Sequence, residues 1–419
     1  MRILVLTQYF PPETGAAQQR LFDLSRQLHS FGHEVTVMTS MPNYPQGKIF
    51  EKYRKHFFIE EKKDGIRILR TWAWVSASRS FFSRLLNYLS FALLAIWTGI
   101  RHARKQDVIV VESPPLFLGI TGIVLGRLGG AVTIFNVSDL WPQSAVSMGI
   151  LKNPLLIRIA VALENYIYKN SYAITGQTEG IVQNIRGRVA AIPVELITNG
   201  VDSGRFLTSL DDREEIRANF DFSNYFVIGY AGLHGLAQGL DTVLEVAKQI
   251  RRDERVVIAF FGDGPEKKRL QNLAIQEKLT NVRFFPPQPA EIMPKVLSSL
   301  DAAIVPLKNL PLFQGALPSK LFECMAAKLP IVLAIDGEAR RLVQQAKGGI
   351  CVPPENVDAI ADAIRRLTDD PELCRTLGKN ARDYVLANYD RREIARRFAQ
   401  LLPKNMRLNS IDHSSNDSK

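Results

Sequence analysis

The stretch "YFVIGYAGLHGLAQGLDTVLEVA", residues 225–247, passes from a β-rich apolar run through three glycines into an amphipathic helical pattern. Gly232, Gly235 and Gly239 fall between the strand and the helix. Small residues at such a turn let a phosphate approach backbone N–H groups and the positive end of the helix dipole. A close-packed turn with no ligand would use the same residues, so the neighbouring segments decide between the two readings.

Further β-rich runs follow at "RVVIAFFGDG" (255–264), "NVRFFPP" (281–287), "DAAIVPL" (301–307) and "PIVLAID" (330–336), separated by helical patterns. Such alternation predicts a parallel, doubly wound sheet. The first half repeats it with "RILVLTQ" (2–8), "EVTVMTS" (34–40), "DVIVVES" (107–113), "VTIFNVS" (132–138), "YAITGQ" (172–177) and "VELITNG" (194–200). Its first strand ends in "YFPPETGAAQQR", where Gly15 and Ala16 open the next helix. The expected fold is therefore α/β, with two Rossmann-like sheets. Ligands of such sheets bind beyond the carboxyl ends of the strands, so two facing sheets would enclose an interdomain cleft.

With 419 residues and 46% hydrophobic content, the chain can fill two cores, since single domains seldom exceed about 250–300 residues. A polar connector near Ser203–Asp221 separates an N-terminal domain over residues 1–203 from a C-terminal domain over 204–385. Residues 386–403 are expected to pack back on the first domain, and the polar tail 405–419 to be disordered. Cys324, Cys351 and Cys374 are too scattered for a disulfide framework and form no CxxC zinc pair, which fits a reducing cytoplasm. The N-terminus lacks the features of a secretory signal and is read as part of the fold.

The net charge of +11 is uneven: residues 51–105 hold twelve Lys or Arg against four Asp or Glu, which is +8. Such a segment suits a phosphorylated substrate or anionic lipid. No zinc finger, RNA-recognition signature or recognition helix accompanies it, so no nucleic-acid partner is expected. Within it, "RSFFSRLLNYLSFALLAIWTGIRHARK" (79–105) is too interrupted for a spanning helix of about 20 apolar residues. Arg84, Asn87 and Ser90 form only a narrow polar stripe. Burial as a core helix is one reading. Arg79, Phe81, Phe82, Arg84, Trp97, Arg101 and Arg104 suggest additional shallow contact with an anionic membrane surface.

The second unusual stretch is "LPSKLFECMA" (317–326), with Ser319, Lys320 and Glu323 at the start of an apolar helical pattern whose Leu321 and Phe322 can face a core. An N-terminal cap with a solvated lysine would explain it in isolation. The order of the Gly-rich loop, "FFGDGPEKKRLQNLA", "LPSKLFECMAAKLPIVLA" and "GGICVPPENVDAIADAI" resembles the C-terminal domain of GT-B glycosyltransferases of family 4, the group 1 transferases. The resemblance runs from Gly15 through "ITNGVDSGRF" (197–206) to the helix near residue 400. "GHEVTVMTSMPNYPQGKIFEKY" and "DLWPQS" look like the bacterial surface-polysaccharide branch, nearest the L-fucosamine transferases of O-antigen synthesis.

This resemblance implies a retaining transferase using a nucleotide-sugar, a UDP-sugar by family, on a polyprenyl-diphosphate-linked acceptor. The expected location is cytoplasmic, peripheral on the inner face of the cytoplasmic membrane. Glu323 would accept from the ribose hydroxyls. Ser319, Lys320 and Leu321 at the helix start would meet the diphosphate together with Gly15, Ala16, Gly232, His234, Gly235 and Gln238. Two departures bear on this. Gly315 stands where many relatives have the first glutamate of an E-x7-E pair, and His234 and Gln238 where many have loop cations. Lys320 then becomes the main cation at the departing diphosphate. Asp139 in "NVSDLWPQS" is the candidate for orienting or deprotonating the acceptor hydroxyl, with Glu112 second. No DxD metal constellation is recognised, so no metal or other cofactor is expected. A non-catalytic GT-B subunit and a UDP-sugar epimerase are the alternative readings.

Overall fold

The computed structural model describes residues 1–44, 46–78, 80–206 and 210–403. Two compact units result: residues 1–198 with the described residues from Arg392 on, and Asn199–Arg391.

The first unit is built on strands β1 (Arg2–Leu6), β2 (Glu34–Ser40), β3 (Phe58–Lys63), β4 (Ile66–Thr71), β5 (Val108–Ser113), β6 (Val132–Val137), β7 (Ala173–Gly176) and β8 (Val194–Leu196). Its helices are α1 (Ala16–Ser30), α2 (Phe81–His102), α3 (Leu118–Gly129), α4 (Gln143–Ser147), α5 (Pro154–Lys169) and α6 (Glu179–Arg186). The sheet order is β3-β4-β2-β1-β5-β6-β7-β8, parallel throughout except for β3, which runs antiparallel to β4. β3 and β4 lie inside the basic segment and were not among the expected strands. Asp64 and Gly65 join them with φ of 49° and 80°, the two-residue Asp-Gly turn that suits a twisted hairpin. Arg67 pairs with Glu60 and Arg70 with Glu61 across this ladder, so part of the local positive charge is neutralised inside the sheet.

Each sheet face carries its own core. Ile3, Val5 and Val37 pack with Leu21 and Leu28 of α1 on one side. The same core takes in Ile394, Ala395 and Phe398 of the terminal helix, Arg391–Gln400. On the other side Leu4, Leu6 and Val111 meet Phe91 and Ala95 of α2, Ile123 of α3 and Ile167 of α5. Alternate residues of one strand thus feed opposite layers, as the pleat requires.

The second unit contains β9 (Phe226–Ala231), β10 (Val256–Phe261), β11 (Val282–Phe285), β12 (Ala302–Pro306), β13 (Ile331–Ala334) and β14 (Gly349–Cys351). They pair in the order β11-β10-β9-β12-β13-β14, all parallel. Helices α7 (Leu210–Asn219), α8 (Leu240–Ile250), α9 (Lys267–Gln276), α10 (Met293–Ser298), α11 (Ser319–Ala326), α12 (Glu338–Ala346), α13 (Val357–Asp369) and α14 (Pro371–Tyr389) cover it, followed by α15 (Arg391–Gln400), which leads back to the first unit. Strand order reverses between β9 and β12, and in the first unit between β1 and β5. These switch points are where the connections diverge to opposite faces and leave a crevice at the strand ends.

Candidate active site

In the second unit, the crevice between β9 and β12 brings together the two stretches singled out in the sequence. Tyr230, the penultimate residue of β9, has its ring fully buried. Its hydroxyl donates to Leu233 O at 2.6 Å and accepts from Lys320 Nζ at 2.6 Å. The same ammonium lies 3.9 Å from the ring centroid, a cation–π arrangement. Desolvation lowers the Lys320 pKa to about 8, opposed by the charges of Cys324 and Glu323. Lysine is therefore cationic at neutral pH but held there weakly, with further donors to offer an anion.

Gly232 makes this placement possible. Its φ is 145°, and a Cβ there would lie 2.7 Å from Lys320 Nζ. The loop is fixed from the other side by β10: Gly232 N donates to Phe261 O at 2.9 Å and His234 N to Asp263 O at 2.8 Å. Two loop donors are thus committed to protein rather than to an anion. Lys267 donates to Gly262 O at 2.7 Å and Phe285 O at 2.9 Å and so pins the next two loops.

His234 was expected at the donor, but its ring is fully buried and packs near Tyr230, Phe260 and Phe284. Burial, with Lys267 and Lys320 nearby, pushes its pKa down to about 4, so the imidazole is neutral and supplies no loop cation. Gly235 is also buried and Gln238 half-buried. Leu321 is a core residue, and its N–H bonds Pro318 O at 3.0 Å.

Helix α11 begins at Ser319 with Pro318 in the capping position and no side-chain cap. Ser319, Lys320 and Glu323 are each half-buried on its first turns. Burial raises the Glu323 pKa, while Arg391, Arg205 and Lys320 oppose the rise. A carboxylate set among three cations can remain an acceptor at neutral pH. At Gly315 a Cβ would meet nothing within 4 Å, so the backbone there leaves room for the first carbon of a side chain.

In the first unit Gly15 and Ala16 are exposed at the start of α1. One turn later Arg20 turns inward and donates to Glu112 Oε1 at 2.7 Å, with side-chain exposures of 7% and 5%. Asn136 donates to Glu112 Oε2 at 2.7 Å, and Ser138 also donates to this carboxylate. Gln177 reaches Ser138 Oγ at 2.6 Å and Thr175 reaches Asn136 Oδ1 at 2.7 Å. Glu112 is therefore the acceptor hub of a buried network tying α1, β5, β6 and β7, which does not suit it to be a free base. Asp139, the next residue after Ser138, is half-buried beyond the end of β6.

A pocket of about 420 Å³, not anticipated from sequence, opens beside the loops after β1, β2 and β4. Tyr9, Tyr44, Tyr88, Asn43, Ser76 and Arg84 are among its lining residues. Glu13 holds two of those loops together by accepting from the N–H groups of Phe10, Asn43 and Tyr44. Arg84, expected at a membrane, is exposed on this rim. Aromatic faces with amide and guanidinium donors suit a glycan bearing a negative charge.

Of the remaining membrane candidates, Phe81, Phe82, Trp97 and Arg101 lie on α2, and Arg104 lies two residues beyond its end. Phe82 is 66% exposed and Trp97 49%. The Arg101 guanidinium sits 5.8 Å from the Trp97 ring centroid, and Arg104 Nε donates to Ile100 O. Arg79 lies outside the described residues; Phe81 opens the helix, but its side chain is likewise undescribed. Among the described residues no helix is long and apolar enough to cross a membrane.

Comparison with known proteins agrees with this architecture. Residues 15–200 match the glycosyl transferase 4-like domain and residues 212–384 the glycosyl transferases group 1 family. WcaI of Escherichia coli (strain K12), assigned to colanic acid biosynthesis as a glycosyl transferase, is 29% identical over 95% of this chain and 98% of its own length. A GDP-mannose-dependent alpha-(1-6)-phosphatidylinositol monomannoside mannosyltransferase of Mycolicibacterium smegmatis is 27% identical over 96% and 98%. Among solved structures, Alr3699/HepE of Anabaena in complex with UDP superposes with a TM-score of 0.69 at 18% identity, covering 96% of this chain and 99% of that one. The chain belongs to the group 1 glycosyltransferases of family 4 and has the GT-B fold.

Proposed function

We propose that this glycosyltransferase moves a sugar from a UDP-sugar to a polyprenyl-diphosphate-linked glycan during surface-polysaccharide synthesis, with retention of configuration and without a metal ion. The observation that carries the reading is Lys320, held by Tyr230 over Gly232 at the switch point of the second sheet. On the donor side, Lys320 offers its charge to the departing diphosphate, where it counts most in the transition state. Glu323 accepts from the ribose hydroxyls. On the acceptor side, Asp139 orients or deprotonates the incoming hydroxyl, while the tyrosine-lined pocket holds the glycan. UDP is favoured by HepE, a neighbour that binds it. GDP is the competing nucleotide, because a full-length relative is GDP-mannose-dependent.

Gly315 favours a second reading, a non-catalytic GT-B subunit, since the first glutamate of the pair is absent. One assay separates them: nucleotide release from UDP- and GDP-sugars, with and without a polyprenyl-diphosphate-linked acceptor, in excess chelator. Acceptor-dependent UDP release supports the proposal. Release of GDP alone would change the donor, and no turnover with any donor would favour the subunit.

A further inference from the structure

Helices α2, α3 and α5 form one layer on one face of the first sheet, with α3 packed against both neighbours. Three uncharged polar side chains of this layer, Asn87, Thr98 and Thr121, are buried and bonded inward. Asn87 donates to Trp74 O and accepts from Gln8, Thr98 donates to Thr71, and Thr121 donates to Ala92 O. Large apolar side chains point outward: Leu93 of α2 is 67% exposed, Leu128 of α3 66%, and Leu155 and Ile159 of α5 64% and 56%. This is the reverse of a solvated helical face.

The charges are as one-sided as the apolar groups. Among the residues of α2, α3 and α5 there is a single carboxylate, Glu164. It is buried, accepting from Tyr168 at 2.7 Å and paired with Arg188. The exposed charged side chains of the layer are cations, among them Arg101, Arg127, Arg158 and Lys169. Arg127 donates to Tyr166 Oη and Asn170 Oδ1, joining the ends of α3 and α5.

We propose that the outer face of this whole layer, and not α2 alone, docks on an anionic lipid surface. Outward leucines and isoleucines enter the headgroup boundary, Trp97 sits at its level, and the cations meet lipid phosphates. A second copy of the chain fits less well, because a two-fold contact would bring the same cations together without a carboxylate to answer them. The inference deepens the lipid-linked-acceptor reading by naming the surface that would meet the acceptor's membrane.

The test is co-sedimentation of the full chain with vesicles of phosphatidylcholine alone or with about one-third phosphatidylglycerol. Two α5 variants are compared with wild type: Leu155→Ser with Ile159→Ser, and Arg158→Gln with Lys169→Gln. Wild type should bind the anionic vesicles, and each variant should bind about tenfold more weakly while keeping its UDP affinity. The cation variant changes only exposed side chains, so it remains informative if the apolar one misfolds. Binding equal to wild type by a folded variant would overturn the proposal. So would absence of wild-type binding, or a concentration-dependent dimer in light scattering that the apolar variant abolishes without affecting vesicle binding. Acceptor-dependent transfer in detergent without vesicle binding would sink this inference alone; vesicle binding without donor turnover would sink the transferase reading alone.

Discussion

Lys320 Nζ lies 2.6 Å from the Tyr230 hydroxyl and 3.9 Å from the centre of its ring. One side chain thus receives the ammonium both as a hydrogen-bond acceptor and as an aromatic face. Neither replaces the lost hydration, and burial brings the lysine pKa to about 8.

A pH dependence follows with a definite sign. A bound diphosphate favours the charged ammonium and raises its pKa, so UDP affinity should be flat below about pH 8 in this respect and weaken as pH rises above it. Lys320→Met should bind UDP more weakly at pH 7 and lose that part of the decline. In the free protein the depressed pKa makes the Lys320 contribution to stability more favourable as pH rises from about 8 towards the ordinary lysine range. Calorimetric titrations of wild type and variant at pH 7 and pH 9.5 check the binding claim. Parallel curves would remove Lys320 from the diphosphate.

Two glycine substitutions should differ in kind. Gly232→Ala would place Cβ 2.7 Å from a flexible lysine end, whereas Gly262→Ala would place it 2.0 Å from the carbonyl oxygen of Gly232. Both positions have positive φ, 145° and 137°, which disfavours a side chain. Gly232→Ala should fold and displace Lys320, weakening UDP binding. Gly262→Ala should force the two loops apart and lower the thermal midpoint more. Equal midpoints would show that the loops are not held as tightly as their hydrogen bonds suggest.

Much of this was legible because strands alternating with helices declare a doubly wound sheet, and because "LPSKLFECMA" combines polar groups with an apolar pattern. What escaped were long-range relationships. The Asp64-Gly65 turn was a readable hairpin signal inside a segment read for its charge. By contrast, no local pattern brings Arg20 to Glu112, across 92 positions, or Tyr230 beneath Lys320. His234 was misplaced for a related reason: its type suggests a ligand contact, but only tertiary packing shows its ring among Phe260 and Phe284.

Glu323→Ala should weaken UDP binding by about 1.5–3 kcal/mol, the range for hydrogen bonds to a charged group. Its sharper signature is discrimination. Wild type should prefer UDP to 2′-deoxy-UDP, and the variant should bind both alike, because the partner of the missing hydroxyl is gone. A variant that retained the preference would place ribose recognition elsewhere.

The acceptor-side carboxylates should separate by function. Glu112 balances Arg20 in a site where both are nearly inaccessible, so Glu112→Ala strips the buried guanidinium of this carboxylate and should cost about 3–5 kcal/mol in denaturant unfolding. Replacing both partners, Arg20→Met with Glu112→Met, should recover part of that loss, because the buried cation is removed together with the carboxylate that balances it. Asp139→Asn keeps the side-chain size at a half-buried position and should leave stability much closer to wild type while abolishing most sugar transfer. UDP affinity should be retained, since the affected group belongs to the acceptor step. If Asp139→Asn transferred at the wild-type rate, the proton-accepting role would pass to another group. If Glu112→Ala unfolded like wild type, the network would not be the anchor of this strand end.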